Sequence, residues 1–187
     1  MSLRQEVNRE RISLLLREVG QRYHQPAQLH LAGGTSLVFE GYRERTLDVD
    51  LTLEVSAEGY SQLVQALQEI MLALDMNIEE ASPGDLIPLP AGYADRHEFI
   101  GCYGQVDVFH FDWYSNALSK IERGRQQDLA DVVTMLQHGR IEWDRLASMF
   151  QEILPLMGKK SLRQKPADFA LNFGALKALW HSAGGML

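Results

Sequence analysis

A single cysteine, Cys102, in 187 residues leaves no partner for a disulfide within the chain and no set for a cysteine-rich zinc site. Long apolar runs are also missing. Nothing approaches the roughly 20 residues a membrane-spanning helix needs, and the apolar segment from Ile12 to Leu16 is bracketed by Arg11 and Arg17, so no membrane partner is expected. The first 20 residues mix Arg and Glu throughout, which argues against a secretory signal and for a cytoplasmic location. Basic residues are in the minority, 18 against 25 acidic, for a net charge of −7. That balance weighs against a protein that coats nucleic acid over a broad surface, leaves room for a local basic groove, and suits a site that gathers a divalent cation. Internal repeats, low-complexity segments, Walker A, Gly-x-Ser-x-Gly and Rossmann glycine patterns are all absent. Six histidines are scattered without zinc-helix spacing, and His110 reads as a packed or surface residue.

What remains is ordinary for a globular chain, with 45% hydrophobic and 23% charged residues. At this length roughly 70% of the unfolded surface is buried on folding, enough for a core without disulfides or metals. Residues 4–23 place Val7, Ile12, Leu15, Leu16 and Val19 at helical spacing, and Pro26 ends that rhythm. A short apolar run from Gln28 to Ala32 stops at Gly33-Gly34, and Thr35 to Gly41 reads as a short helix. Asp48 to Val55 alternates polar and apolar residues, the clearest strand signal in the chain. Ser61 to Leu74 reads as an amphipathic helix, Asn77 to Glu80 as a strand, and the proline-rich stretch from Ser82 to Asp95 as a loop. Glu98–Cys102 and Gln105–Phe111 form a hairpin turning near Tyr103-Gly104. From Ser115 the pattern is helical, punctuated by Gly124, Gly139 and Gly158, and its last helix runs from Asp168 to Ala183. The expectation is an α+β core over residues 1–112 with a helical half over 113–187 packed on it as one unit.

Chemistry concentrates at four places. Asp48 and Asp50, two apart on a strand, project from one face with Cα atoms about 6–7 Å apart. Unpaired carboxylates so placed repel, and a divalent cation between them removes the repulsion; Mg²⁺ favours a few carboxylates together with phosphate oxygens. Solvated acids on an exposed strand face are the plainer alternative. Upstream, Gly33-Gly34-Thr35-Ser36 joins an apolar strand to a helix. Glycines admit a ligand close to the backbone, and helix N-terminal amides bind phosphate; a tight turn capped by Thr35 or Ser36 explains the same residues. Asp107, amid apolar neighbours in the second hairpin strand, offers a third carboxylate for metal-assisted phosphoryl or nucleotidyl transfer. Asp112 at the strand end is more simply a cap. The fourth place is Lys120, Arg123 and Arg125 with Asp128 and Asp131, a basic patch able to neutralise triphosphate charge or a charge-paired helix surface. Trp113-Tyr114 suits a core wedge better than a base-stacking platform, and Lys159, Lys160, Arg163 and Lys165 form a basic run that reads as a solvated loop or an RNA contact.

The segment LAGGTSLVFEGYRERTLDVDLTLE, with the later strand acid, resembles the nucleotidyltransferase superfamily, and Arg45-Thr46-Leu47-Asp48-Val49-Asp50 matches its lead-in to the aspartate strand. The Lys120 to Asp131 segment is similar to the AbiEii-type and related small bacterial nucleotidyltransferase-like families. The resemblance implies a mixed β-sheet flanked by helices, with a C-terminal helical half. It implies that Gly33, Gly34, Thr35 and Ser36 contact nucleotide phosphates, joined by Arg45, Arg125 and Asp128. It further implies that Asp48, Asp50 and Asp107 ligate Mg²⁺ or Mn²⁺ and that Lys120 meets the triphosphate or the acceptor. The activity implied is transfer of a nucleoside monophosphate from a nucleoside triphosphate (NTP) to a hydroxyl, with RNA as a possible acceptor and an antitoxin protein as a possible partner. A non-catalytic module binding nucleotide, RNA or protein on the same fold is the rival expectation.

Overall fold

A computed structural model describes residues 6–159 and 165–186. These residues fall into two compact units, one running up to Ser82 and including His97–Phe111, the other made of Pro83–Arg96 and the residues from Asp112 onward.

The first unit is a five-stranded mixed sheet with three helices. Helix α1 (Arg9–Arg22) begins at Asn8, whose side chain accepts from the Arg11 amide, and buries Ile12, Leu15, Leu16 and Val19, an i, i+3, i+4, i+7 stripe. The helical rhythm expected from residue 4 therefore starts late. Val7 is extended and exchanges backbone hydrogen bonds with Thr46 (2.7 and 2.9 Å), and residues 4 and 5 lie outside the described residues. Strand β1 (Ala27–Leu31) leads through Ala32 into α2 (Gly33–Glu40). Strand β2 (Asp48–Val55) is followed by α3 (Ala57–Leu74), β3 (Asn77–Glu80) and the hairpin β4 (Glu98–Tyr103) and β5 (Val106–His110). The sheet order is β3-β2-β1-β5-β4. Strand β1 at its centre runs antiparallel to β2 and parallel to β5.

Register decides which side chains share a face. His30 lies opposite Thr52 on one side and Phe109 on the other, and Gln28 opposite Glu54 and Asp107. One face therefore carries Leu29, Leu31, Val49, Leu51, Val106 and Val108, all within the hydrophobic core that α1 and α3 complete. The other carries Asp48, Asp50, Thr52, Glu54, Gln28, His30, Asp107 and Phe109. The alternation of DVDLTLEV is the pleat of a strand with one face in the core. Helix α1 also packs closely on the hairpin tip: a Cβ at Gly20 would stand 2.6 Å from the Tyr103 carbonyl carbon, so glycine is required there.

The second unit holds 3₁₀ turns at Pro83–Asp85 and Ala94–Arg96 and helices α4 (Trp113–Arg123), α5 (Gln126–Gln137), α6 (Trp143–Ile153) and α7 (Pro166–Ser182). Helix α4 packs against the other three. Phe150 stacks on Phe173 at 3.9 Å and meets Phe169 at 4.8 Å, joining α6 to α7. Asp112 caps α4 as expected: its carboxylate accepts from the Tyr114 and Ser115 amides and the Ser115 hydroxyl, and Arg96 grips it with two bonds of 3.0 and 2.9 Å. Trp113 and Tyr114 are buried, the wedge reading rather than the platform. Of the basic run, Lys160 and Arg163 lie outside the described residues. Among the described residues, no helix is long and apolar enough to cross a membrane.

Candidate active site

The aspartate pair and the glycine turn are joined by backbone hydrogen bonds. The Ala32 amide donates to the Asp50 carbonyl (3.1 Å), and the Asp50 amide donates to Thr35 Oγ1 (2.9 Å). The start of β2 is thereby clipped to the first turn of α2. Gly33 adopts φ +55°, and a Cβ on it would overlap Asp50 Oδ2, so the carboxylate lies directly on the glycine backbone. Ala32 is the N-cap residue of α2 and supplies no capping side chain, and the Asp50 carboxylate stands against the helix end at Gly33. Asp48, two residues along the same face, accepts from Asn77 Nδ2 at 2.7 Å, and Asn77 also donates to Glu79. Both aspartates are half-buried at the start of β2, opposite Asn77 and Glu79 of β3.

Several expectations need correction. Thr35 and Ser36 do not offer hydroxyls to a phosphate. Both are fully buried; Thr35 receives the Asp50 amide, and Ser36 Oγ donates to the Leu31 carbonyl at 2.7 Å. Neither is the N-cap. The hydroxyls lock the turn; Gly34 is buried as well, and of the four residues Gly33 is the one partly exposed. Arg45 is also displaced from the turn. It is exposed, and its guanidinium pairs with Glu6 at 2.6 Å and Glu44 at 2.9 Å. The arginine beside the turn is Arg43, whose Nη1 lies 3.2 Å from the position a Cβ on Gly34 would take. Arg43 stands outside the Arg45–Asp50 motif, so motif spacing gives no signal for it.

The largest correction concerns Asp107. It shares the face of Asp48 and Asp50, yet it pairs with Gln28, itself opposite Glu54, four residues along β2 from Asp50. That places it roughly 13 Å along the strands and about 10 Å across them from Asp50. Its carboxylate instead accepts from the exposed Cys102 thiol at 2.9 Å, a hydrogen bond that, with the neighbouring negative charge, pushes the thiol pKa up. No group of three or more His, Cys, Asp or Glu able to hold a metal ion exists among the described residues. The acidic triad expected from the sequence is therefore a pair, Asp48 and Asp50.

Lys120 belongs to a buried ion network within the helical unit. Its ammonium meets Asp131 at 2.6 Å and Asp128 at 3.7 Å, while Arg123 reaches Asp128 at 2.5 Å and Gln127 donates to Asp131 at 3.0 Å. Lys120 is 1% exposed. Arg125 is exposed at the N-cap of α5. The charges of that segment are paired, but in a largely buried network joining α4 and α5 rather than along a helix surface.

Two histidines occupy the first unit's interior. His110 Nε2 pairs with Glu40 at 2.9 Å, the packed role expected for it. His30, not singled out by the sequence pattern, packs its ring 4.3 Å from His97 and 5.3 Å from Phe109, with Glu54 at 3.4 Å. Burial, reinforced by the adjacent His97, lowers its pKa to about 4 despite Glu54. His30 is therefore neutral at physiological pH.

A mixed sheet with a glycine turn after its central strand, and an aspartate pair on the neighbouring antiparallel strand beside that turn, defines an α+β protein of the nucleotidyltransferase-like class. A family model described as "Nucleotidyltransferase of unknown function (DUF6036)" matches residues 10–178, and the chain belongs to that family. Membership supports a nucleotide substrate and a general nucleotidyltransferase role. No curated protein and no solved structure matches the chain.

Proposed function

We propose that this protein transfers a nucleoside monophosphate from an NTP to an acceptor hydroxyl, releasing pyrophosphate, with Asp48 and Asp50 holding Mg²⁺ or Mn²⁺. The reading is carried by one observation: the Asp48/Asp50 strand is hydrogen-bonded to the first turn of α2, with the Asp50 carboxylate against Gly33. Two hard oxygen donors on one face suit a small divalent ion that takes its remaining ligands from water and phosphate. Such an ion, when bound, supplies charge neutralisation to phosphate oxygens. The protein's own contribution is positional. Asn77 orients Asp48, Thr35 ties Asp50 to the helix, and the N-terminal end of α2 favours negative charge. Asp107 takes no part.

The resemblance to AbiEii-type proteins favours an RNA hydroxyl as acceptor and an antitoxin as partner. With a net charge of −7, RNA contact is expected to be local rather than a broad electrostatic coat. Isothermal titration with NTP and Mg²⁺ tests the site: wild type binds, and the Asp48→Ala/Asp50→Ala double variant loses binding. Equal binding by both removes the proposal.

The missing third carboxylate supports a second reading, a nucleotide-binding module without turnover. Incubation with labelled NTPs and total tRNA separates the two. Label transferred to RNA supports the enzyme; saturable nucleotide binding without transfer supports the module.

A further inference from the structure

Two consecutive glycines at the start of α2 lie against different groups: Gly33 against the Asp50 carboxylate, Gly34 against Arg43. The chain brings Arg43 there by reversing at the end of the same helix. Gly41 ends α2 in the left-handed conformation with φ +79°, and the amides of Tyr42 and Arg43 both donate to the Leu37 carbonyl (2.9 and 3.3 Å). The loop then runs back along α2, and Thr46, whose hydroxyl also lies 3.2 Å from the Gly34 Cβ position, is held by its backbone pair with Val7. The Arg43 side chain is half-buried and reaches the opposite end of the helix from its own Cα.

From this placement we infer that Arg43 is the polyphosphate-holding residue of the chain, and that Arg45 is not. The inference rests on the aspartate-pair reading of the site and adds to it the recognition of the anionic end of the substrate. A guanidinium presents two parallel donors to phosphate oxygens and keeps its charge at any physiological pH. Here its Nη1 lies beside Gly34 in the first turn of α2, so the guanidinium and the helix N-terminus add their positive potential next to the aspartates. The aspartates attract the cation, and Arg43 with the helix end attracts the phosphates. Gly34, itself buried, lets the guanidinium pack against the helix backbone: a Cβ there would come within 3.2 Å of Nη1 and push the arginine away.

The test uses the full chain, Mg²⁺ alone and magnesium pyrophosphate as probes, and titration calorimetry. For Arg43→Gln we expect affinity for magnesium pyrophosphate to fall about ten- to a hundredfold, while affinity for Mg²⁺ alone is unchanged or increased, since a neighbouring positive charge is gone. Arg43→Lys recovers part of the loss, and Arg45→Gln binds as wild type. The Asp48→Ala/Asp50→Ala variant loses both probes. Wild-type pyrophosphate affinity in Arg43→Gln, with binding lost in the aspartate variant, overturns the role of Arg43 alone. Wild-type affinity for both probes in the aspartate variant overturns the reading of the site. If Arg43→Gln fails to fold, Arg43→Lys decides: undiminished pyrophosphate affinity overturns the inference, and a loss without a change in melting temperature supports it.

Discussion

The Asp50 amide donates to Thr35 Oγ1 at 2.9 Å, fifteen residues upstream, and this bond joins the strand of Asp48 and Asp50 to the glycine turn at the start of α2. Thr35 is fully buried, so no solvent replaces its hydroxyl. Thr35→Val keeps the shape and leaves the amide without its acceptor, at an expected cost of about 1–3 kcal/mol. Thr35→Ser restores the oxygen and most of the stability. Urea denaturation of the three proteins measures the difference, and a Thr35→Val protein as stable as wild type would show the bond to be immaterial.

Gly33→Ala meets two obstacles at once, a φ of +55° and the Asp50 carboxylate. The backbone conformation alone costs an L-residue on the order of 1–2 kcal/mol. The carboxylate must also move, so cation affinity falls with stability. Mn²⁺ titration and thermal melting of Gly33→Ala read the two effects separately; a variant with wild-type Mn²⁺ affinity would show that Asp50 has other positions from which to bind.

Lys120 and Asp131 form a buried pair with side chains 1% and 4% exposed. Removing one partner leaves the other charge without its counterion, which is expected to cost about 3–5 kcal/mol for Lys120→Met. Lys120→Met combined with Asp131→Leu recovers much of the loss because both charges go together. A double-mutant cycle by chemical denaturation gives the coupling. Additive losses would mean that the ammonium and carboxylate contribute independently.

His30 has a depressed folded-state pKa of about 4, below the ordinary value of 6.5. Above pH 6.5 the ring is neutral in both folded and unfolded chains and stability does not depend on it. Between pH 6.5 and about 4 the unfolded chain takes up a proton that the folded one resists, so stability falls as pH falls, with a slope approaching about 1.4 kcal/mol per pH unit. His30→Phe, which keeps an aromatic ring against Phe109, removes this component. Denaturation midpoints of wild type and variant across that window should diverge; parallel curves would contradict the assignment.

Much of the local structure is legible in the residue order. DVDLTLEV alternates because one face of β2 enters the core, and its strand bounds emerge as read, Asp48–Val55. Asn77–Glu80 is a strand, the hairpin turns at Gly104, and Asp112 is a cap, each from chemistry within a few residues. The start of α1 is not fixed by local residues: Val7 fits a helical stripe equally well, and its pairing with the distant Thr46 draws it into extended backbone.

The candidate site divides along the same line. Residue order alone determined that Asp48 and Asp50 share a face and that a glycine turn precedes a helix, since strand periodicity and glycine's freedom are local properties. Tertiary structure alone decided which end of the sheet Asp107 occupies, because the parallel register of β5 on β1 is set by packing between residues some eighty positions apart. In the same way, the folding back of the loop after α2 brought Arg43 rather than Arg45 to the turn and directed the Thr35 and Ser36 hydroxyls inward. Spacing along a chain governs the direction of side chains within an element; which elements meet, and in what register, is settled by the burial of the core they share.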